Sequence, residues 1–303
     1  MDLKSCLQVM FILVAAIAPH AIMARHLHTH KLSSSIFPQH LVGSGKGHNI
    51  EGIHNVRAFL QRYGYLSTNV DTKGNAFDDN LEFALKSYQK FFNLNVSGIL
   101  DAETLELMSQ PRCGVPDVFI NETGGDGNGD RDHPIGLHYR FFNDSKPKWS
   151  ASKYNLKYTF VRSFPEQYKS TVVQAMISWS LNSVFAFSEG STDDTDVRIS
   201  FEVGEHGDGH PFKKGSGVLA HAFAPEDGRL HFNEWHAWAD GAYPDKYDVG
   251  SVALHELGHI LGLGHSDIRD AVMWPSMRPN TKKELSSDDV SGISALYDGF
   301  QED

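Results

Sequence analysis

The chain has 303 residues, 40% of them apolar and 21% charged, with a formal net charge of −11. That length accommodates two ordinary domains, and the apolar fraction excludes a chain disordered throughout. The acidic balance argues against a nucleic-acid binder, which needs a basic surface, and disfavours anionic membranes.

Lys4 precedes an apolar run, Leu7–Ala18, broken only by Gln8, and small residues follow at Ala21 and Ala24. This is the layout of a secretory signal peptide over residues 1–24, and the run is too short to cross a bilayer. Residues 25–47 are rich in His, Ser and Gly without a period and read as a flexible leader, with His26, His28 and His30 on a solvated tail. Next come apolar residues at helical spacing: Ile53, Val56, Phe59 and Leu60, then Leu81, Phe83, Leu85, Tyr88, Phe91 and Phe92, then Leu100, Leu105, Leu107 and Met108. They predict a small three-helix domain within residues 48–120. The Gly/Asp-rich stretch Thr123–Asp132 marks an exposed linker over 121–138. Its acidic spacing has a superficial likeness to a calcium loop but lacks the flanking helices and the distal Glu.

The second domain spans 139–303. Strands are predicted at Leu156–Phe160, Val197–Val203 and Gly217–Phe223, and helices at Pro165–Phe187, Val249–Leu263 and Ser286–Tyr297. The first of these helices has Val172, Val173, Met176, Ile177, Trp179, Leu181 and Val184 as its expected inner face. Such a mixture reads as α+β. The chain ends in Gln-Glu-Asp, so no C-terminal membrane anchor is expected.

There are two cysteines, Cys6 and Cys113. Signal cleavage removes the first and leaves Cys113 without a disulfide partner. By itself it reads either as a free thiol or as a thiol held by some other group. Asn95, Asn121 and Asn143 open N-x-[ST] sequons and are glycosylation candidates.

Eight of the 17 histidines lie between His206 and His265. In Val252–Ser266, His255 and His259 stand four apart and share one face of the predicted helix. Glu256 lies about 100° round from His255, beside a shared metal. Gly262 can end the helix in the left-handed conformation, and His265 follows as a third ligand. Three histidines leave one tetrahedral position open, as catalytic zinc sites do. The alternative, histidines lining an amphipathic helix, requires this spacing to be a coincidence.

The string His255–His265 is the H-E-x-x-H-x-x-G-x-x-H signature of the metzincins. Ser266, the turn Ala271-Val272-Met273-Trp274-Pro275 and the paired Asp288 and Asp289 narrow the resemblance to the matrixins, the matrix metalloproteinase family, in a plant-type form without a hemopexin domain. The resemblance implies a zincin fold: a mixed twisted sheet with three helices, preceded by a three-helix propeptide domain. Residues 111–117, PRCGVPD, resemble the matrixin cysteine switch. That implies Cys113 as a zinc ligand in a latent zymogen, Arg112 paired with Asp117, and Met273 supporting the metal site. His206, Asp208, His221 and His231 match the ligands of a second, structural zinc, and such a set is complete and closed to water. His210 and His236 are left with solvated or packed roles.

The sequence departs from the family where calcium is expected. Lys213, Asn233 and His236 stand in place of carboxylates, and the loop Ala224–Leu230 is short. Calcium wants hard anionic oxygens, so these replacements weaken or abolish its sites. Pro275-Ser276-Met277 replaces the usual Pro-x-Tyr pocket wall, and small Ser251 suggests a roomy pocket.

The reading is a secreted, monomeric zinc endopeptidase of the extracellular space, latent until an activating protease removes the propeptide. Glu256 is its general base, and Gly217–Phe223 pairs with an extended peptide substrate. Two other readings stand beside it: a catalytically weak binding protein of the same fold, and a cell-wall polysaccharide module formed by the helical domain.

Overall fold

The computed structural model describes residues 36–119, 138–143, 145–161 and 164–297. The signal-peptide reading, His26, His28, His30, Asn121, residues 121–137 of the linker and the terminal Gln-Glu-Asp lie outside the described residues.

The helical unit begins earlier than its periodicity announces. Residues 36–47 are not a flexible leader. Phe37 and Leu41 are buried in the helical core, with a short 3-10 turn at Gln39–Leu41. Gly43 N–H donates to Leu100 O, and Leu100 N–H donates to Ser44 O, tying the segment to the end of the unit. Two buried apolar side chains in a Gly/Ser-rich stretch are too few to register a period, yet each is worth about 2 kcal/mol when fully buried.

Three helices follow: α1 (Ile53–Arg62), α2 (Asp79–Phe91) and α3 (Ala102–Met108). Asp78 and Asp101 cap the last two, accepting from Leu81 N–H and Thr104 N–H. Leu81, Ala84, Leu85, Tyr88 and Phe91 form the buried stripe of α2, while Phe83 turns outward. An edge-to-face aromatic cluster of Phe59, Tyr63, Tyr65, Tyr88, Phe91 and Phe92 fills the centre.

The second unit is built on a five-stranded sheet of β1 (Asn155–Phe160), β2 (Ala186–Glu189), β3 (Val197–Glu202), β4 (Ala220–Ala222) and β5 (Arg229–Asn233). The order is β2-β1-β3-β5-β4; all pairs are parallel except β4 with β5, which leaves β4 as an antiparallel edge. A two-residue pair, β6 (Trp238–Ala239) and β7 (Tyr247–Asp248), leads into α5 (Val249–Ile260). Helix α4 (Glu166–Leu181) makes the crossover between β1 and β2, and α6 (Ser287–Tyr297) closes the fold. The architecture is the expected α+β one, three helices and a mixed sheet after a three-helix unit.

The long helix expected over Pro165–Phe187 stops at Leu181. Asn182 caps it, Ser183 Oγ donates back to Trp179 O, and the chain turns into β2. Its buried face is Val172, Ala175, Met176 and Trp179, while Ile177, Leu181 and Val184 are exposed. Trp179 anchors α4 to α5 by donating from Nε1 to Leu254 O at 2.9 Å.

Two glycines set how closely α5 is approached. A Cβ at Gly258 would collide with Met273 Sδ and crowd Trp179, so a larger residue there would force the Met273 side chain to shift. Gly262 takes φ of 101°, the left-handed conformation that reverses the chain toward His265.

Candidate metal centres and the cleft between them

The first two turns of α5 are capped by Asp248, whose carboxylate accepts from Ser251 N–H. His255 and His259 then project from one face and His265 returns after Gly262. Every Nδ1 of the three is used: His255 faces Val272 O at 2.7 Å, His259 faces Leu263 O at 2.8 Å, and His265 faces the Asp117 carboxylate at 2.7 Å. All three partners are acceptors, so each Nδ1 carries the hydrogen and each Nε2 presents a bare lone pair. Those lone pairs converge. Nε2 of His259 lies 3.2 Å from that of His255 and 3.1 Å from that of His265. Cys113 Sγ sits 3.5 Å from His259 Nε2.

Four acceptors facing one another in a buried space repel unless a cation lies between them. Tetrahedral zinc, with Zn–N of about 2.05 Å, sets nitrogens roughly 3.3 Å apart. The donor set and its spacing therefore fit zinc. Glu256 is buried beside the cluster, with Oε2 3.5 Å from Cys113 Sγ and with Oε1 lacking any hydrogen-bond partner. Burial pushes its carboxyl up to about 8. Burial likewise lowers His255, His259 and His265, so all three are neutral and competent to ligate, and it raises the Cys113 thiol. A cation among them reverses the trend for the acids, favouring thiolate and carboxylate.

Cys113 arrives on a strand-like segment laid in the cleft. Arg112 N–H donates to Gly217 O and Arg112 O accepts from Leu219 N–H, both at 2.9 Å. Gly114 N–H donates to Ala220 O, Cys113 N–H to Pro275 O, and Met277 N–H to Pro111 O. Residues 111–114 thus bridge the edge strand on one side and the 275–277 wall on the other, in parallel with the former and antiparallel to the latter.

Arg112 and Asp117 form a buried ion pair. The guanidinium also lies 3.6 Å from the centre of the Tyr63 ring, and Tyr65 Oη donates to Asp117 Oδ2 at 2.8 Å. Burial pushes Asp117 up, but Arg112 and the His265 bond outweigh it and hold the carboxyl at about 2. Asp117 therefore does more than brace Arg112: it fixes the tautomer of His265. Nothing in the linear spacing signals this second bond, because residues 117 and 265 meet only through the tertiary fold.

The second cluster forms where β4 and β5 pair. Their register sets His221 opposite His231. Asp208 Oδ2 lies 2.8 Å from His206 Nε2, 2.7 Å from His221 Nε2 and 2.9 Å from His231 Nδ1. One oxygen and three ring nitrogens within 4.8 Å of one another make a complete tetrahedral donor set. Burial lowers His221 to about 3, which keeps it a neutral ligand.

Other candidate residues are placed as follows. Met273 is buried under α5, its N–H donating to Asp289 Oδ1 at 3.0 Å. Ser251 lies among the residues that line a cavity with Asp248, Leu254 and Lys283; its hydroxyl donates to Asp248 Oδ2 at 2.5 Å and accepts from Lys283 N–H at 2.7 Å. Asn95 is exposed, while Asn143 is half-buried and accepts from Ser145 N–H.

Residues 148–298 match the profile of the matrixin family, and residues 49–108 match that of a putative peptidoglycan binding domain. Metalloendoproteinase 1 of Glycine max is 39% identical, the alignment covering 83% of this chain and 83% of that protein. Metalloendoproteinase 1-MMP of Arabidopsis thaliana is 40% identical over 83% of this chain and 70% of its own length. Matrix metalloproteinase-2 of Drosophila melanogaster is 38% identical over 79% of this chain, but only 33% of that longer protein is matched. The two profiles cover the helical unit and the domain carrying both histidine clusters, and with relatives of about 40% identity over 83% of its length the chain belongs to the matrixin family.

Proposed function

We propose that the protein is a secreted zinc-dependent endopeptidase made as a latent zymogen. The observation that carries this reading is the convergence of three Nε2 lone pairs beside a buried, unpartnered carboxylate, with Cys113 Sγ in the remaining position. His255, His259 and His265 hold the catalytic zinc, Cys113 joins them in the latent form, and His206, Asp208, His221 and His231 hold a structural zinc. Zinc, when bound, supplies Lewis-acid polarisation of the scissile carbonyl and makes water acidic enough to attack near neutral pH.

The chain's own residues do the rest. Edge-strand groups Gly217 O and Leu219 N–H, which pair with Arg112 in the latent form, receive the substrate backbone instead. Glu256 Oε1 accepts the proton of the attacking water as the new C–O bond forms. It then delivers that proton to the amide nitrogen as the C–N bond breaks. The bonds from Val272 O, Leu263 O and Asp117 keep the three imidazoles in one tautomer and orientation.

An activating protease, a monomeric state and an extracellular site belong to the same proposal. Among the described residues no helix is long and apolar enough to cross a membrane. The test is cleavage of a quenched peptide library by the proteolytically activated protein, with zinc content measured in parallel. Absence of cleavage by a zinc-loaded protein would overturn it in favour of a binding protein of the same fold. The match of residues 49–108 to a peptidoglycan-binding profile favours a second reading, a polysaccharide module. Retention of the helical unit on cell-wall polysaccharide, by the full chain, checks it.

A further inference from the structure

The carbonyl of Val218 sits at the back of the substrate cleft. Its neighbours face the front: Gly217 O and Leu219 N–H both pair with the chain lying in the cleft. Val218 O is turned instead to two side chains, one at the end of β5 and one just after it. Asn233 Nδ2 donates to it at 2.7 Å, and His236 Nε2 lies 3.0 Å away. A carbonyl only accepts, so Nε2 of His236 carries the hydrogen, and both lone pairs of Val218 O are filled.

The amide orientation of Asn233 is fixed by its other end, since Oδ1 accepts from Trp235 N–H at 3.1 Å. The residue is buried and its main chain is tied at both ends. Asn233 N–H donates to Leu219 O at 2.8 Å, and Asn233 O accepts from Trp238 Nε1 at 2.9 Å. His236 packs edge-on to Tyr247. The loop before Val218 carries exposed Lys213 and Lys214, the latter over the Trp235 ring at 5.1 Å. Two N–H donors on one carbonyl, with two lysines in the loop before it, are the wrong chemistry for calcium, which requires anionic or carbonyl oxygens.

We propose that Asn233 and His236 are positioning residues of the cleft: their N–H donors hold the Val218 carbonyl, and with it the substrate-pairing edge Gly217–Ala220, in place of a calcium ion. The inference rests on the endopeptidase reading for its kinetic consequence but not for its binding consequence. In Asn233→Asp/His236→Glu, acceptors replace donors and face Val218 O with repulsion that a cation relieves. His236→Gln keeps an N–H donor.

The experiment uses the full chain with zinc saturated. Calcium binding is followed by calorimetry, and KM and kcat are measured after activation in zinc-buffered solution with and without calcium. The wild type should bind no calcium at millimolar concentration and keep its KM. The double variant should show KM raised about tenfold without calcium and restored by it, with kcat changed far less, since loss of substrate-edge pairing is a binding defect. His236→Gln should stay close to wild type.

Calcium binding by the wild type, or an unchanged KM in the calcium-free double variant, overturns the proposal. Folding of the double variant only in calcium supports it. Should that variant not fold at all, single His236→Glu against His236→Gln decides: equal KM values refute the proposal, and a raised KM in the Glu variant alone supports it. If no form cleaves peptide, the endopeptidase reading falls, and the calorimetry alone still decides the bracing.

Discussion

Glu256 is buried, charged in its working form, and left with one oxygen unpartnered. Such a group costs the fold stability and is kept for what it does. Glu256→Gln should therefore lower peptide hydrolysis by about 10²–10⁴-fold or more while zinc content is unchanged. Its melting temperature should stay level or rise, because an amide is cheaper to bury than a carboxylate. A variant with wild-type rates would remove the general base from the mechanism. The thiol gives a second test. Cys113→Ser puts a poor metal ligand at the end of an otherwise intact backbone ladder, so the proenzyme should process itself or cleave peptide without an activator. If it stays fully latent, the hydrogen bonds from residues 111–114 to Gly217, Ala220 and Pro275 are sufficient to block the cleft. The convergence of His255 and His259 was legible because helix geometry turns a four-residue spacing into one shared face. The acceptors that set each tautomer were not. Val272 O, Leu263 O and the Asp117 carboxylate come from a turn, a helix end and another domain, and main-chain carbonyls leave no trace in side-chain pattern.

Among the elements, the amphipathic helices of the first unit and the histidine-bearing α5 were readable, and several strands were not. β5 is buried at Leu230, His231, Phe232 and Asn233 in succession, so no alternation marks it as a strand. In α4 the apolar residues run round the cylinder, and Leu181 ends up 79% exposed because the helix stops there. Leu181→Lys should change unfolding free energy by less than about 0.5 kcal/mol, as surface changes do. Asp289, at the start of α6, is the opposite case. It is fully buried, and its carboxylate accepts from Val272 N–H, Met273 N–H, Ser286 N–H and Ser286 Oγ at 2.7–3.0 Å. It thereby joins α6 to the turn whose Val272 O orients His255. Asp289→Ala strips four donors of their partner at once and should cost about 3 kcal/mol or more in urea unfolding of the zinc-loaded protein. A loss below about 1 kcal/mol would mean that water replaces the carboxylate and that the turn does not depend on α6.

At the scale of the whole molecule, the two units share a core residue. Trp274 belongs in sequence to the turn after Met273, yet it is buried among the aromatic side chains of the helical unit. Its ring meets Phe92 edge-on at 5.0 Å, and Arg269 lies over it at 5.6 Å. Apart from the buried Asp117–His265 bond, two exposed side-chain tethers are weak by comparison. Arg278 to Glu106 is an exposed ion pair at 3.1 Å, worth at most about 1 kcal/mol. Asn93 Nδ2 to Asp267 O is a single exposed hydrogen bond at 3.4 Å. Three side chains of different kind then join the helical unit and its following segment to the second domain: the Cys113 thiol beside His259, the Asp117 carboxylate on His265 and the Trp274 ring in the helical core. Removing the ring from a buried aromatic site costs about 3–5 kcal/mol. That cost applies only while the helical unit is in place, since its removal exposes the indole. Trp274→Ala should accordingly destabilise the proenzyme by several kcal/mol, leave the processed enzyme within about 1 kcal/mol of wild type, and speed spontaneous activation with Cys113 intact. Tryptophan emission should also shift to the red on processing of the wild type, and less so in the variant. Equal destabilisation of both forms would place the indole in the core of the catalytic unit alone and leave latency to Cys113, the Asp117–His265 bond and the backbone ladder of residues 111–114.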